Sequence, residues 1–424
     1  MVNTTGNSNS FFGTESGKAN TTANGNSFFG DRAGTGTTTG ANNSFFGADA
    51  GLGNTTGTRN AFFGWSAGNL NLAGVDNAFF GFNAGSSNAG DVVTLIGNNY
   101  NRGSFNSFFG KDAGRSTTKG VRNSFFGHQA GFSNQGNIFE TDPGGEFNSI
   151  GYQGSDNTFI GHQAGYSTLS ATDNTFAGSK AGFANIASLN SFFGSQAGDS
   201  NTTGEENAFF GYNSGGTNTT AGRNSFFGVS AGSSSNGLGN SFFGWQAGSN
   251  NIIGSGNTMA GYDTKFRASA VGLGGCPGCD NTFIGQVAGG ATTRSKSTAI
   301  GAGAFVACDF CLVLGSTDIR VGIGTSNPNA AYKLDVAGVV NASGGYQSIS
   351  DRRYKTNIQS LSGALGKVLQ LRGVSYQWRQ AAFPEMQFSA RPQIGFIAQE
   401  AETVLPEAVT KDSQGHYSMS YTTV

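Results

Sequence analysis

Charge is scarce in this sequence. Lysine, arginine, aspartate and glutamate make up 12% of the 424 residues, about half of the usual globular share, and the net charge is only −1. This balance gives no electrostatic basis for binding nucleic acid or an anionic membrane surface. No apolar run approaches the roughly 20 residues that span a bilayer, and no signal peptide follows Met1. We therefore expect no nucleic-acid partner, no membrane insertion and no export segment within the chain.

Proline and cysteine are also rare, with 6 and 4 residues. So little proline excludes collagen and proline-rich linkers, although glycine reaches 70 residues. Four cysteines are too few for a disulfide scaffold. What the sequence has instead is 37 phenylalanines set among asparagine, threonine and glycine. Disordered chains are poor in aromatic residues and rich in charge, so this composition indicates an ordered structure.

The phenylalanines belong to a repeat. Its unit reads Asn-(Ser/Ala/Thr)-Phe-Phe-Gly, followed by two variable residues and Ala-Gly. Units follow one another every 16 or 17 residues. The spacing is interrupted near residues 86–103, 132–156 and 264–280. Recurrent glycine and asparagine oppose a helix, whereas Ser-Phe-Phe favours a short strand and the glycines favour tight corners. We therefore predict a mainly β protein in which residues 1–317 form a β-solenoid shaft, one unit per coil.

The paired phenylalanines predict how the shaft associates. Adjacent residues of a strand point to opposite faces, so if Phe28 fills the coil, Phe29 points outward. A long file of outward phenylalanines exceeds what a monomer exposes, and burying that file around a three-fold axis predicts a homotrimer. The alternative is a wide coil that holds both rings inside by a local bulge.

The repeats resemble the left-handed β-roll heads of trimeric adhesins, whose units read Ala-Ile-Gly, as residues 299–301 do here. The resemblance covers roughly residues 9–315. The residue after the repeat glycine is often aromatic or histidine, and stacked coils would align these side chains along the surface. Two interpretations stay open: the side chains cover corners of the solenoid, or they form a stripe that binds glycans. They are Trp65, Phe82, His128, His162, Tyr212, Trp245 and Tyr262.

A different region follows the repeats. Residues 318–349 show strand-like alternation and are predicted to form a β connector. Residues 350–355, Ser-Asp-Arg-Arg-Tyr-Lys, and residues 395–400, Gly-Phe-Ile-Ala-Gln-Glu, resemble the two signature motifs of the peptidase S74 family, the intramolecular chaperones of phage tailspikes and fibres. A helical pattern at 359–371 lies between them. We expect residues 350–424 to form a small α+β domain of this family.

This second resemblance implies a function and a mechanism. Members of the family help a trimeric β fibre to assemble and then cut themselves off before the signature serine. Carried over here, Ser350 is the nucleophile, Lys355 is the general base and the bond after Ile349 is cut. Asp351 and Arg353 support the pair. A lysine acts as a base only when neutral, a form that burial favours. Positions five apart lie on different faces of a helix or strand, so a turn, or contact between chains, has to bring the pair together.

The cysteines form two Cys-x-x-Cys pairs, Cys276/Cys279 and Cys308/Cys311. Two such pairs are a common structural zinc arrangement, although the spacing between them exceeds the usual one. An extracellular fibre would also permit disulfides. Disulfides, structural zinc and free thiols therefore stay open, and no cofactor is required for the function.

Taken together, the two resemblances predict an extracellular fibre that attaches to a cell-surface glycan or receptor, most simply a phage tail fibre. A bacterial surface adhesin of the same build is the alternative. Relatives of the S74 family continue into a long C-terminal helix, so we expect the domain to be truncated at its end. A fibre-borne glycan hydrolase ranks last because it needs paired acids, and the shaft offers isolated ones. Examples are Asp49, Asp112 and Glu205.

Overall fold

The computed structural model has two compact units, Met1–Leu314 and Gly315–Val424. It describes residues 3–95, 98–136, 153–266, 278–291, 294–328, 330, 332–337, 340, 349–384, 388–412 and 415–421, without the side chains of 91–101.

The first unit is a β-solenoid of about seventeen coils, as the repeat predicts. Each coil contributes one short strand to a single 17-stranded parallel sheet, in which Phe28 lies beside Phe45 and Phe45 beside Phe62. In chain order these strands are Ser10–Phe12, Ser27–Phe29, Ser44–Phe46, Ala61–Phe63, Ala78–Phe80, Ser107–Phe109, Ser124–Phe126, Thr158–Ile160, Thr175–Ala177, Ser191–Phe193, Ala208–Phe210, Ser225–Phe227, Ser241–Phe243, Thr258–Ala260, Thr282–Ile284, Thr298–Ile300 and Leu312–Leu314.

The first phenylalanine of each pair fills the coil. From Phe28 to Phe242 these rings are fully buried, and consecutive rings stack in nearly parallel planes, with centroids 4.7 Å apart between Phe28 and Phe45. The alanine of the Ala-Gly pair, such as Ala50, is buried against them. Phe29 by contrast is 39% exposed. The inward and outward alternation is therefore confirmed, and the wide coil with both rings inside is wrong.

We call the outward file the outer stripe. It runs along the sheet from the first coil to the last and contains no charged residue. Its members are Phe12, Phe29, Phe46, Phe63, Phe80, Phe109, Phe126, Ile160, Ala177, Phe193, Phe210, Phe227, Phe243, Ala260, Ile284, Ile300 and Leu314.

Buried asparagines form a first ladder just before the strands. The backbone N–H of Asn43 donates to Oδ1 of Asn26 at 2.9 Å, and the Asn43 side-chain amide donates to the carbonyl of Gly57 at 2.9 Å. The same backbone bond to the preceding rung recurs in later coils, as from Asn257 to Asn240. Because an amide both donates and accepts, asparagine satisfies the polar groups that the coil buries.

A second ladder lies on another side of the coil. The Nδ2 of Asn71 donates to Oδ1 of Asn54 at 2.9 Å, and the Nδ2 of Asn88 donates to Oδ1 of Asn71 at 2.7 Å. In some coils threonine or serine takes the asparagine position, as at Thr37 and Thr117. The ladder is therefore interrupted at intervals.

Glycine is required at two corners of each coil. Gly47 has φ +137°, and a Cβ there would lie 2.5 Å from the carbonyl oxygen of Gly64 in the next coil. Gly51 has φ +58°, and its Cβ would lie 2.4 Å from the Phe45 ring. L-residues rarely adopt such φ values, and neither position has room for a side chain.

The interruptions of the repeat leave the coil intact. Gly103, Gly154 and Gly278 lie at the ends of the three interruptions, and their carbonyls accept from asparagine side chains as Gly57 does in a regular coil. The first insert contains an antiparallel hairpin, Asp91–Leu95 with Asn98–Arg102. Near the end of the shaft a small parallel sheet is added by Lys265–Phe266, Gly289–Gly290 and Phe305–Val306.

The second unit is small and built from short elements. Val321–Ile323 pairs in parallel with Leu334–Val336. The antiparallel pairs are Val374–Tyr376 with Gln393–Gly395 and Val409–Lys411 with Tyr417–Met419. The helices are α1, Ala364–Gln370, and α2, Ala398–Glu402, and single 3-10 turns occur at Arg352–Tyr354, Gln380–Ala382 and Pro406–Ala408. The predicted class, a mainly β solenoid followed by a small domain with helices, is confirmed.

Helix α1 is shorter than the periodicity at 359–371 predicts. Gly363 has φ +68° and precedes the first helical residue, so the helix begins only at Ala364. Its apolar side chains are exposed, with Leu365 at 72% and Leu369 at 76%. Among the residues that the structure describes, no helix is long and apolar enough to cross a bilayer.

Candidate functional site

A single turn brings Ser350 and Lys355 together. Arg352–Tyr354 forms a 3-10 turn, and the backbone N–H of Lys355 donates to the carbonyl of Arg352 at 3.1 Å. The Lys355 Nζ and the Ser350 Oγ lie 2.7 Å apart. The two residues are thus in hydrogen-bond contact within one chain, by way of a turn. A hydroxyl at this distance from an amine can pass its proton to the amine when the amine is neutral.

Asp351 and Arg353 hold the turn in shape. An oxygen of Asp351 accepts from the backbone N–H of Arg353 at 2.8 Å and caps the turn. The Arg353 guanidinium also contacts both carboxylate oxygens, with Nη2 and Oδ2 2.7 Å apart. This side-chain hydrogen bond, followed by the backbone one, lowers the pKa of Asp351, and the same contact raises the pKa of Arg353. Both residues act on the fold of the turn and neither contacts Ser350 in the bonds described.

The site is exposed to solvent in the single chain and has apolar side chains beside it. Ser350 and Lys355 are both exposed. Beside them Ile349 is 84% exposed and Tyr354 77% exposed, and Ile358 a little further along is 56% exposed. The chain alone therefore supplies the contact between nucleophile and base, but not the burial that would favour a neutral lysine.

The second S74-like motif, residues 395–400, contributes to the packing of the domain. Glu400 in α2 forms a two-point ion pair with Arg372, at 2.6 and 3.0 Å, which lowers the pKa of Glu400. The hydroxyl of Tyr421 accepts from the backbone N–H of Phe396 at 3.1 Å, and a Cβ on Gly395 would lie 2.4 Å from that oxygen. These contacts fasten α2 to the neighbouring strands, so the motif builds the domain and none of these contacts reaches Ser350.

A comparison with known families identifies the domain that contains the site. Residues 350–410 match the family model Peptidase S74, whose description is chaperone of endosialidase. The second unit contains a peptidase S74 chaperone domain. The matched segment begins at Ser350 and includes Lys355, the capped turn and both helices.

Six of the seven aromatic and histidine side chains along the shaft come together in pairs. Trp65 stacks on Phe82 with ring centroids 4.8 Å apart, Trp245 stacks on Tyr262 at 4.7 Å, and His128 lies 5.3 Å from His162. Stacking covers one face of each ring and leaves the edges exposed. Tyr212, which is 53% exposed, has Ser195 and Val229 at the same position of the adjoining coils. Binding of a glycan by this file remains a prediction.

A second aromatic file was not predicted from the sequence. Phe132 stacks on Tyr166 at 4.9 Å, and Tyr166 stacks on Phe183 at 5.1 Å. The Arg115 guanidinium lies 5.6 Å from the centre of the Phe132 ring, and the Lys180 Nζ lies 5.9 Å from that of Phe183. The signal was available, because each ring directly follows an Ala-Gly pair. The file spans an interruption of the repeat, and the irregular spacing there conceals that these rings recur at one position of the coil.

The structural zinc alternative for the cysteines is not supported. Cys308 and Cys311 form a disulfide with each other, and Cys279 is also disulfide-bonded, so thiolate ligands are not free to bind a metal. Cys276 lies outside the described residues. Within the described ranges, no group of three or more His, Cys, Asp or Glu side chains is placed to hold a metal ion.

Two of the acids considered for glycan hydrolysis, Asp49 and Asp112, have structural partners. Asp49 is buried and pairs with Arg32 at 2.8 Å. Asp112 is also buried and accepts from the Asn83 amide at 3.2 Å. They belong to different coils, the third and the sixth, whereas a glycosidase needs two carboxyl groups on either side of one bond.

Proposed function

We propose that this chain is the subunit of a homotrimeric attachment fibre whose S74 domain assists assembly and then cuts the chain before Ser350. The observation that carries the proposal is the 2.7 Å contact between Ser350 Oγ and Lys355 Nζ, at the start of the matched domain. The long β-solenoid that precedes the domain is the kind of body such a chaperone serves. Attachment to a cell-surface glycan or receptor, as a tail fibre outside the cell, is the role that this build fits.

The chemistry follows from the position of the serine. Neutral Lys355 accepts the proton of the Ser350 hydroxyl, and Oγ attacks the carbonyl carbon of Ile349. Because the nucleophile belongs to the residue after that carbonyl, the attack closes a small ring. The C–N bond then breaks, the Ser350 nitrogen takes up a proton, and an ester links Ile349 to Oγ. Water hydrolyses the ester, which leaves a carboxylate on Ile349 and a free amine on Ser350.

Assembly would supply what the single chain lacks. Lys355 is exposed, and the apolar residues Ile349, Tyr354 and Ile358 around it are more than half exposed. Packing three copies over this surface would bury the apolar groups and desolvate the lysine at the same time, and desolvation favours the neutral amine. Cleavage would then follow trimer formation.

The test is gel electrophoresis and intact-mass analysis of the expressed chain, beside Ser350→Ala and Lys355→Gln. We expect the wild type to give fragments that end at Ile349 and begin at Ser350, and both variants to stay whole. Ser360→Ala, at an exposed serine of the same domain, serves as the control and should cleave normally. A wild type that stays whole, or a Ser350→Ala chain that still cleaves there, would refute self-cleavage.

The link to assembly is tested by dilution. Refolding at falling protein concentration should reduce the cleaved fraction in step with the trimer fraction, as measured by analytical ultracentrifugation. Cleavage that proceeds equally in monomeric chains would show that Lys355 needs no partner.

A further inference from the structure

The outer stripe is too large an apolar surface for a single chain in water. Phe29 is 39% exposed, Phe126 41% and Phe243 44%. Since a phenylalanine carries roughly 200 Å² of surface, each such ring leaves about 80 Å² uncovered, and the whole stripe about 1,000 Å². The largest apolar patch of a typical monomer is about 300–600 Å², and one side of a standard interface buries about 800 Å². The stripe therefore has the area of a stable interface.

A second feature indicates that the stripe is packed. The residue two positions before each stripe residue points outward on the same face, and we call the two together a rung. All eleven phenylalanines of the stripe share their rung with serine or alanine. Where the stripe residue is isoleucine or alanine, its partner is threonine in every case. These five rungs are Thr158/Ile160, Thr175/Ala177, Thr258/Ala260, Thr282/Ile284 and Thr298/Ile300.

This exchange of size within a rung is a packing rule. A smaller stripe residue comes with a larger partner, which keeps these sixteen rungs closer to one volume. The terminal rung, Leu312/Leu314, has two large residues and lies outside the rule. A surface in contact with water has no fixed depth and imposes no such constraint, whereas a close-packed interface tolerates neither gaps nor excess volume. The face is uncharged along its whole length, as the core of an interface between identical chains should be.

We propose that the rungs form a dry interface with other copies of this chain, parallel and in register, and that the two Thr/Ala rungs fix the register. The inference rests on the proposed homotrimer and adds the direction and the alignment of its chains. The register marks are the rungs of Ala177 and Ala260, the only two with alanine in the stripe.

The order of the rungs distinguishes this arrangement from its competitors. In register, every rung meets its own copies. A shift by one coil sets Ala177 against Ile160 or Phe193 of a neighbour. One level of the interface then contains too much side-chain volume, and another contains a cavity. A reversed neighbour can set Ala177 against itself, but then Ala260 meets Phe63. A reversed neighbour can also set Ala177 against Ala260, but then the five rungs from Phe12 to Phe80 have no partner. Only the parallel, unshifted arrangement matches both marks and also pairs every rung.

The experiment moves a mark by one coil. Thr175→Ser, Ala177→Phe, Ser191→Thr and Phe193→Ala together exchange two adjacent rungs, without changing the composition or the buried phenylalanines. The exchanged chain is co-expressed in full length with wild type under a different tag, and native mass spectrometry gives the composition of the oligomers. Each chain should assemble with itself. Mixed oligomers should fall about tenfold below the proportion formed by two differently tagged wild-type chains, because mismatched rungs cost packing in every mixed species.

A second exchange makes the result independent of one site. Ser241→Thr, Phe243→Ala, Thr258→Ser and Ala260→Phe move the other mark and should also exclude wild type. If both exchanged chains mix at random with wild type, the proposal that these rungs fix the register is wrong, whereas the proposed homotrimer is unaffected. Failure of both to assemble with themselves would overturn the marks too, since their own rungs match. A wild-type chain that stays monomeric would instead refute the proposed homotrimer.

Discussion

Restoring an interrupted asparagine ladder should stabilise the shaft. In the second ladder, Thr37 takes the position between Asn20 and Asn54. The Oδ1 of Asn20 and the Oγ1 of Thr37 are buried and have no hydrogen-bond partner among the residues that the structure describes. Where the ladder is continuous, Nδ2 of one asparagine donates to Oδ1 of the one before at 2.9 or 2.7 Å. Thr37→Asn places an amide of similar size at the gap. It can donate to Asn20 and accept from Asn54.

The magnitude follows from the bonds gained. Two new hydrogen bonds contribute about 1 kcal/mol each, and the substitution also removes an unsatisfied buried acceptor, which costs about 1–3 kcal/mol. Allowing for the side-chain freedom lost by the new amide, we expect a local stabilisation of about 2 kcal/mol. This corresponds to roughly a 30-fold lower population of the locally opened state.

Hydrogen exchange is the suitable assay, because the stability of a solenoid is local to a coil and its neighbours. Amides in peptides covering residues 17–25 and 34–60 should exchange about 30-fold more slowly in Thr37→Asn. Thr39→Asn makes the same chemical change at an exposed position and should leave exchange unaltered. Unchanged or faster exchange in Thr37→Asn would refute the reasoning, and Thr117→Asn repeats the test at a second gap.

Two further predictions concern the corners and the pH response of the shaft. Gly47→Ala should destabilise it by more than ~3 kcal/mol, since a Cβ would lie 2.5 Å from the Gly64 carbonyl. Gly239→Ala, with φ +68° but open space around it, should cost only about 1 kcal/mol in thermal unfolding; equal losses would contradict the clash. Burial raises the pKa of Asp199 above its ordinary 3.8, so its contribution to stability is present below 3.8 and is lost as pH rises through the folded pKa. Asp199→Asn should therefore raise the unfolding midpoint at pH 7 and not at pH 3, and a gain that is larger in acid would be the wrong sign.

Much of the shaft could be predicted from the sequence, because the same local sequence pattern recurs in unit after unit. The alternation of Phe28 and Phe29 follows from strand geometry alone. The asparagine ladders could not be predicted from the sequence, because the hydrogen bonds of a buried amide depend on which side of the coil it occupies. The Oδ1 of Asn54 accepts from the side-chain amide of Asn71, whereas the Oδ1 of Asn43 accepts from the backbone N–H of Asn60.

The candidate site residues came from the sequence motif, whereas their geometry did not. The motif pointed to Ser350 and Lys355, but spacing alone left open whether a turn or a second chain joins them. The capping bond from Arg353 to Asp351 closes the turn, and no periodicity shows such a bond. The helix at 359–371 was overestimated because its apolar periodicity continues through Gly363, where the backbone is left-handed. The cysteine pairs could not be assigned by spacing, since two Cys-x-x-Cys pairs suit a metal or two local disulfides equally well.

Near-identical coils create a folding problem that a chaperone at the C-terminal end is well placed to solve. A shift by one coil, within a chain or between chains, sets phenylalanine on phenylalanine over most of the shaft, so most coils lose little packing in the wrong register and only the few that differ oppose it. The coils that differ most lie at the C-terminal end, where the interior passes from Met259 through Phe283 to Ala299 and the outer stripe ends in Ile300 and Leu314. Alignment that starts there, beside the S74 domain in sequence, matches distinctive coils first. The uniform phenylalanine coils can then add in the only register left to them.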